Sequence, residues 1–91
     1  MKISYSILTH NETESLLELI EFLVKHKDKE DEIVILDDYS DNERTKEILD
    51  TMCSIHDITF EQRHLLKDYA GQKNHLTRMC KGSYIINIDA D

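Results

Sequence analysis

Proline and tryptophan are absent from the 91 residues, and glycine and cysteine occur twice each. The turn after the first apolar segment reads Leu8-Thr9-His10-Asn11-Glu12, with neither a GxGxxG nor a Walker sequence. That argues against nicotinamide, flavin and P-loop chemistry, in which glycines let the backbone cradle phosphates. Cys53 and Cys80 have no CxxC spacing and read as buried free thiols in a reducing, cytoplasmic setting. The five histidines are scattered without metal-ligand spacing. Long apolar runs are missing too. Ile33–Leu36 and Tyr84–Ile88 are strand-sized, far below the ~20 residues of a membrane span. The N-terminus reaches Asn11 without the apolar core of a signal peptide. Positive charge is scarce: 11 basic residues against 19 acidic ones give a net charge of -8. A nucleic-acid partner, which needs a basic stripe, is therefore not expected. An acidic protein that binds a nucleoside diphosphate needs a cation, a helix N-terminus, or both.

What is present fits one small α/β domain. The chain is 40% hydrophobic and 33% charged, with a mean hydropathy of -0.52. At this size it buries little more than ~60% of its unfolded surface, so its stability is expected to be modest. Lys2–Leu8 reads as a strand. Leu16, Leu17, Ile20, Leu23 and Val24 recur at helical spacing between Thr13 and His26, and Asn11 with Glu14 resembles a capping box. After the charged connection Lys27–Glu32, the β-branched run Ile33–Leu36 suits a strand covered on both faces. Ser40 followed by Glu43 opens a second helix to about Cys53. Ile58–Gln62 is a weaker strand, Arg63–Tyr69 a loop, and Ala70–Lys81 a third helix stopped by Gly82 as a left-handed C-cap. Tyr84–Ile88 is the fourth strand. Strands alternating with helices predict a Rossmann-like, open, mainly parallel four-stranded sheet in the order 3-2-1-4, with helices on both faces.

Ligands of such sheets bind beyond the carboxyl ends of the strands, where strand order reverses. Three strands end in polar residues: Thr9-His10-Asn11, Asp37-Asp38 and Asp89-Ala90-Asp91. Carboxylates gathered on one rim either face solvent or hold a divalent cation. Hard oxygen donors suit Mg2+ or Mn2+, which commonly combine one or two carboxylates with substrate phosphates. The Asp-x-Asp tripeptide following a buried strand points to the second account.

These segments together resemble family 2 glycosyltransferases of the GT-A fold. Ile7–Glu12, Ile33–Ser40, Gly71-Gln72-Lys73-Asn74, Lys81–Ile85 and Asp89-Ala90-Asp91 occur in the family's order and spacing. The likeness covers essentially the whole chain. Tyr69–Asn74 looks especially like the branch that includes lipopolysaccharide-core glucosyltransferases. The resemblance implies that residues 1–91 form a nucleotide-sugar-binding half-domain, a truncated GT-A unit. Its partner would be UDP or a UDP-sugar, glucose or galactose, held through Mn2+ or Mg2+. Leu8, Thr9 and His10 would receive the base, with Asn11 in the same turn and His10 where the family usually has a stacking tyrosine. Asp38, beside Asp37, would accept from the uracil imide. Lys73 would lie near the diphosphate, Asp89 at the ribose or the metal, and Asp91 on the metal. Tyr39 departs from the family's small residue; it walls the ribose pocket or simply packs.

The bland alternatives are that His10 helps to cap the first helix, Lys73 is a solvated helix charge and Asp89 faces water. Family members continue beyond Asp-x-Asp into an acceptor-binding half that supplies a general base, and no residue here is placed to be that base. Whether the chain is itself an enzyme therefore stays open, with a binding module that needs a partner chain as the rival reading. A receiver-like magnesium-binding domain is disfavoured, because the third strand ends at Glu61-Gln62-Arg63 rather than in an aspartate. An uncovered sheet face or edge predicts self-association, as a homodimer.

Overall fold

The computed structural model describes residues 1–90. Its elements are β1 (Ile3–Thr9), α1 (Glu14–His26), β2 (Glu32–Asp37), α2 (Glu43–Ile55), β3 (Ile58–Gln62), α3 (Tyr69–Met79) and β4 (Tyr84–Asp89). The four strands form one sheet in the order β3-β2-β1-β4, and every pairing is parallel. All four carboxyl ends therefore share one rim, as the sequence predicts.

Register decides which side chains meet. Ile7 lies opposite Ile35 and Ile88, and Ile35 opposite Phe60. This face packs on Leu16, Ile20 and Leu23 of α1 and on Ile48, Leu49 and Met52 of α2. Burying each such side chain stabilises the fold by roughly 1.5–3 kcal/mol. The opposite face offers Val34 and Leu36 to Leu76 and Met79 of α3. It also carries Ser4, Ser6 and Asn87, and Ser6 Oγ donates to Asn87 Oδ1 at 2.5 Å. One face is thus a dry two-helix core and the other a smaller, mixed layer under a single helix. No helix among the described residues is long and apolar enough to cross a membrane. Tyr84, Ile85 and Ile86 are exposed on the β4 edge.

Three local expectations are corrected. Asn11 and Glu14 do not form a capping box: the N-cap is Thr13, which makes no side-chain bond. Asn11 sits at φ 60°, and its Oδ1 accepts from the Asp41 and Asn42 backbone N–H groups. Glu14 instead pairs with Arg44. Helix α2 is capped by Asn42, which accepts from Arg44 and Thr45, and not by Ser40. Gly82 is no left-handed cap, since neither glycine has positive φ and α3 ends in an extended Cys80. It is needed because a Cβ there would lie 2.6 Å from Ser4 Oγ, 2.7 Å from Ser4 N and 2.9 Å from Lys2 O. The sequence shows a glycine after a helix but not the strand that passes against it.

Candidate functional site

At the carboxyl rim, Asp38 N donates to Thr9 O at 3.0 Å, carrying the β1–β2 pairing one step past the sheet. His10 Nδ1 lies 2.6 Å from Asp38 O. A carbonyl can only accept, so Nδ1 donates and Nε2 is left as the acceptor facing Asn11 Nδ2 at 3.3 Å. Glu12 Oε1 accepts from Thr9 Oγ1 and His10 N, closing the turn without glycine. His10 therefore binds across to the β2 turn and does not cap α1.

The adjacent carboxylates Asp37 and Asp38 part company here. Asp37 pairs in register with Thr9 and Gln62 and is 1% exposed. It accepts from Ser40 N and Ser40 Oγ and from Gln62 Nε2 at 3.1 Å. Both its oxygens are engaged inside the fold, on the α2 side, so the expectation that Asp37 meets a nucleotide is corrected: it holds the turn. Ser40 Oγ in turn accepts from Asn11 N at 2.8 Å. Asn11 thus ties the β1 turn to the start of α2 and does not line the cleft.

Asp38 points the other way, into a cleft of about 230 Å³ lined by Leu8, Thr9, His10, Glu12, Leu65, Tyr69 and Gln72. Its Oδ1 accepts from Leu65 N at 2.9 Å. Its Oδ2 stands 3.8 Å from His10 Nδ1, beyond hydrogen-bond range. Leu8 and Leu65 supply apolar walls suited to a flat ring, and Asp38 supplies an acceptor. Glu12, Leu65, Tyr69 and Gln72 were not singled out from the sequence. Gln72 could have been, within Gly71-Gln72-Lys73-Asn74, because a buried amide needs a partner. It is 3% exposed; its Nε2 donates to Arg63 O and its Oε1 accepts from Arg63 Nη1. Gly71 has a similar reason, since a Cβ there would strike the Asp68 carboxylate that caps α3 through Gly71 N. That bond and the Arg63 guanidinium hold Asp68 below the usual carboxylate range.

Leu8 also borders a second cavity of about 170 Å³, where Lys73 from α3 and Asp89 from β4 meet with Ser6, Leu76, Asn87 and Ile88. This is the β1–β4 seam, where strand order reverses. Lys73 and Asp89 are thus brought to one cavity, beside the cleft that holds Thr9, His10 and Asp38. Among the described residues, no three His, Cys, Asp or Glu side chains group to hold a metal. Asp91, expected on the metal, lies outside the described residues. Asp89 is a hard carboxylate at the seam, and it fits a cation that draws its remaining oxygens from a diphosphate. Burial pushes both free thiols up, Cys53 to about 11, so neither is poised as a nucleophile at neutral pH.

The profile described as "Glycosyl transferase family 2" matches residues 4–91. S. aureus TarS superposes with a TM-score of 0.82 at 23% identity, over 100% of this chain and 17% of that one. A mannosyltransferase from Pyrobaculum calidifontis, PcManGT, solved in complex with GDP-Man and Mn2+, gives a TM-score of 0.71 at 21% identity, over 98% of this chain and 27% of that one. At these identities the likeness is one of fold, and the chain spans less than a third of either protein. No curated protein sequence matches the chain.

Proposed function

Because the chain belongs to glycosyl transferase family 2, we propose that residues 1–91 are its donor-binding GT-A half-domain and bind a UDP-sugar through a divalent cation. The observation that carries this reading is the Asp38 carboxylate, set at the carboxyl rim in an apolar-walled cleft that adjoins the Lys73–Asp89 cavity. The uracil ring would lie between Leu8 and Leu65, with its imide N–H given to Asp38. Thr9 and His10 would border the base, and Asn11 and Asp37 would hold their turns. Lys73 would face the diphosphate. Asp89 and Asp91 would hold Mn2+ or Mg2+, which when bound supplies Lewis-acid stabilisation of the leaving diphosphate. That PcManGT was solved with GDP-Man and Mn2+ supports nucleotide-sugar and metal use in the shared fold. The sugar, glucose or galactose, follows from the likeness of Tyr69–Asn74 to the lipopolysaccharide-core branch. No residue of the chain is assigned as the base for transfer. A homodimer would use the exposed β4 edge.

Calorimetric titration tests this reading. UDP is expected to bind with Mn2+ present, and chelation should weaken UDP far more than uridine, since only the diphosphate meets the cation. Asp91→Asn should copy chelation. Equal binding of UDP with and without metal would overturn the metal assignment, and failure of UDP to bind at all would overturn the nucleotide reading.

A further inference from the structure

The loop between β3 and α3 is fastened to the Asp38 turn by a contact outside the family-like motifs. The Tyr39 and His64 rings stack with centroids 4.0 Å apart and 17° between planes. Tyr39 holds φ 42°, a left-handed conformation that a bulky side chain rarely adopts and that persists only where its surroundings hold it. Its ring is 45% exposed, so core burial is not what keeps it there. The residue after His64 is Leu65, whose N–H occupies Asp38 Oδ1 at 2.9 Å. The stack therefore places the donor that takes up one oxygen of the carboxylate. Among the described residues, no donor lies within hydrogen-bond range of the other oxygen, Oδ2, which is 3.8 Å from His10 Nδ1.

Resting on the nucleotide reading above, we propose that Tyr39 and His64 are positioning residues that set nucleobase selectivity by leaving Asp38 a single acceptor for the base. One free oxygen matches the lone imide N–H of uracil, flanked by two carbonyls. Guanine presents two adjacent N–H donors, and a carboxylate pairs with such an edge through both oxygens. With Oδ1 committed to Leu65, that bidentate pairing is denied. Releasing the stack frees the loop, returns Oδ1 to the cleft and removes the bias against guanine.

The test is calorimetric titration of the full chain with UDP and with GDP at fixed Mn2+, for the unaltered protein, Tyr39→Gly, His64→Ala and Tyr39→Phe. Glycine accepts the left-handed backbone without strain, so Tyr39→Gly should fold, and the second site gives an independent route to the same loss. The unaltered protein should prefer UDP by roughly ten- to a hundredfold, the range expected when a buried donor is left unpaired. Tyr39→Gly and His64→Ala should cut that preference to about threefold or less, whereas Tyr39→Phe, which keeps the stacking face, should retain it. A merely structural role would scale both affinities together and leave the ratio alone. The His64 ring protons should carry an upfield NMR ring-current shift that vanishes in Tyr39→Gly and survives in Tyr39→Phe. If nucleotides bind but the ratio ignores Tyr39→Gly and His64→Ala, or if the unaltered protein takes GDP as well as UDP, this inference falls while the donor-binding reading stands. If neither nucleotide binds, both fall.

Discussion

The two ends of the sheet treat their polar groups in opposite ways. At the amino end they satisfy one another: Ser4 Oγ donates to Glu32 Oε2, Lys81 N donates to the same oxygen, and Gly82 N donates to Ser4 Oγ. The approach is so close that only glycine fits at position 82. At the carboxyl end the backbone is strained. The four non-glycine residues with positive φ among those described, Asn11, Tyr39, Leu66 and Lys67, fall in the turns after β1, β2 and β3. Strain of this kind costs of order 1 kcal/mol or more per residue and persists where the surroundings over-determine it. One end stabilises the sheet; the other gives up some stability to aim Asp38 and His10 at a cleft.

The sharpest break in this contrast should come from Gly82→Ala. The new methyl would press on the Ser4 and Lys2 backbones, which cannot swing aside as a side chain can. Overpacking of this sort costs about 1–3 kcal/mol, and the upper end is expected here because β4 is held on one edge only. Urea unfolding should show the loss. UDP affinity, measured where the variant is still folded, should be almost unchanged. A loss of affinity larger than the loss of stability would mean that the two ends are not separate devices.

Asp38→Ala should act in the opposite sense. It should weaken UDP binding by roughly 1–3 kcal/mol, because a buried imide donor loses its acceptor. It should have a smaller effect on nucleotides without that donor, such as CDP. Stability should change little, because Asp38 is partly open to solvent and makes one internal acceptor bond through its side chain. Equal losses for UDP and CDP would move Asp38 into the structural class where Asp37 belongs.

The fold was legible because patterns of two kinds agree along the chain: apolar residues at helical spacing in α1, and a continuous β-branched run in β2. Strand order followed from the alternation of elements and from the motifs that resemble the family. The site was legible as a set of strand ends and not as a set of contacts. Asp37 and Asp38 look equivalent in sequence, yet a one-residue step turns a strand side chain to the other face, so one is buried against Gln62 and the other opens into the cleft. Gly82 and Asn11 were misread for a related reason. Both obey local capping rules, but both are fixed by partners remote in sequence, Ser4 and Asp41. The Tyr39–His64 stack could not be read at all, because it joins two irregular turns that carry no periodicity.

The smallest effect should come from Glu32→Gln, and its pH dependence should place it at the structural end. Burial alone would raise the Glu32 carboxyl. The bonds from Ser4 and the Lys81 backbone, helped by the charges of Lys2 and Lys81, outweigh burial and hold it below its ordinary value. The unfolded chain titrates near the usual glutamate value of about 4.3. Between the two values the unfolded state binds more protons, so stability rises with pH there. Glu32 therefore contributes fully above about pH 4.3, and the contribution is lost as pH falls through the lower, folded value. Glutamine keeps a carbonyl oxygen for Ser4 and Lys81 but gives up the charge, so the expected loss at pH 7 is about 1 kcal/mol. Urea unfolding of both proteins at neutral and at acid pH should show the gap closing as the carboxyl protonates. UDP affinity at neutral pH should be the same for both, since Glu32 lies at the opposite end of the strands from Asp38. A gap that stays constant with pH would show that the Ser4 and Lys81 bonds, and not the charge, carry the stabilisation at that end.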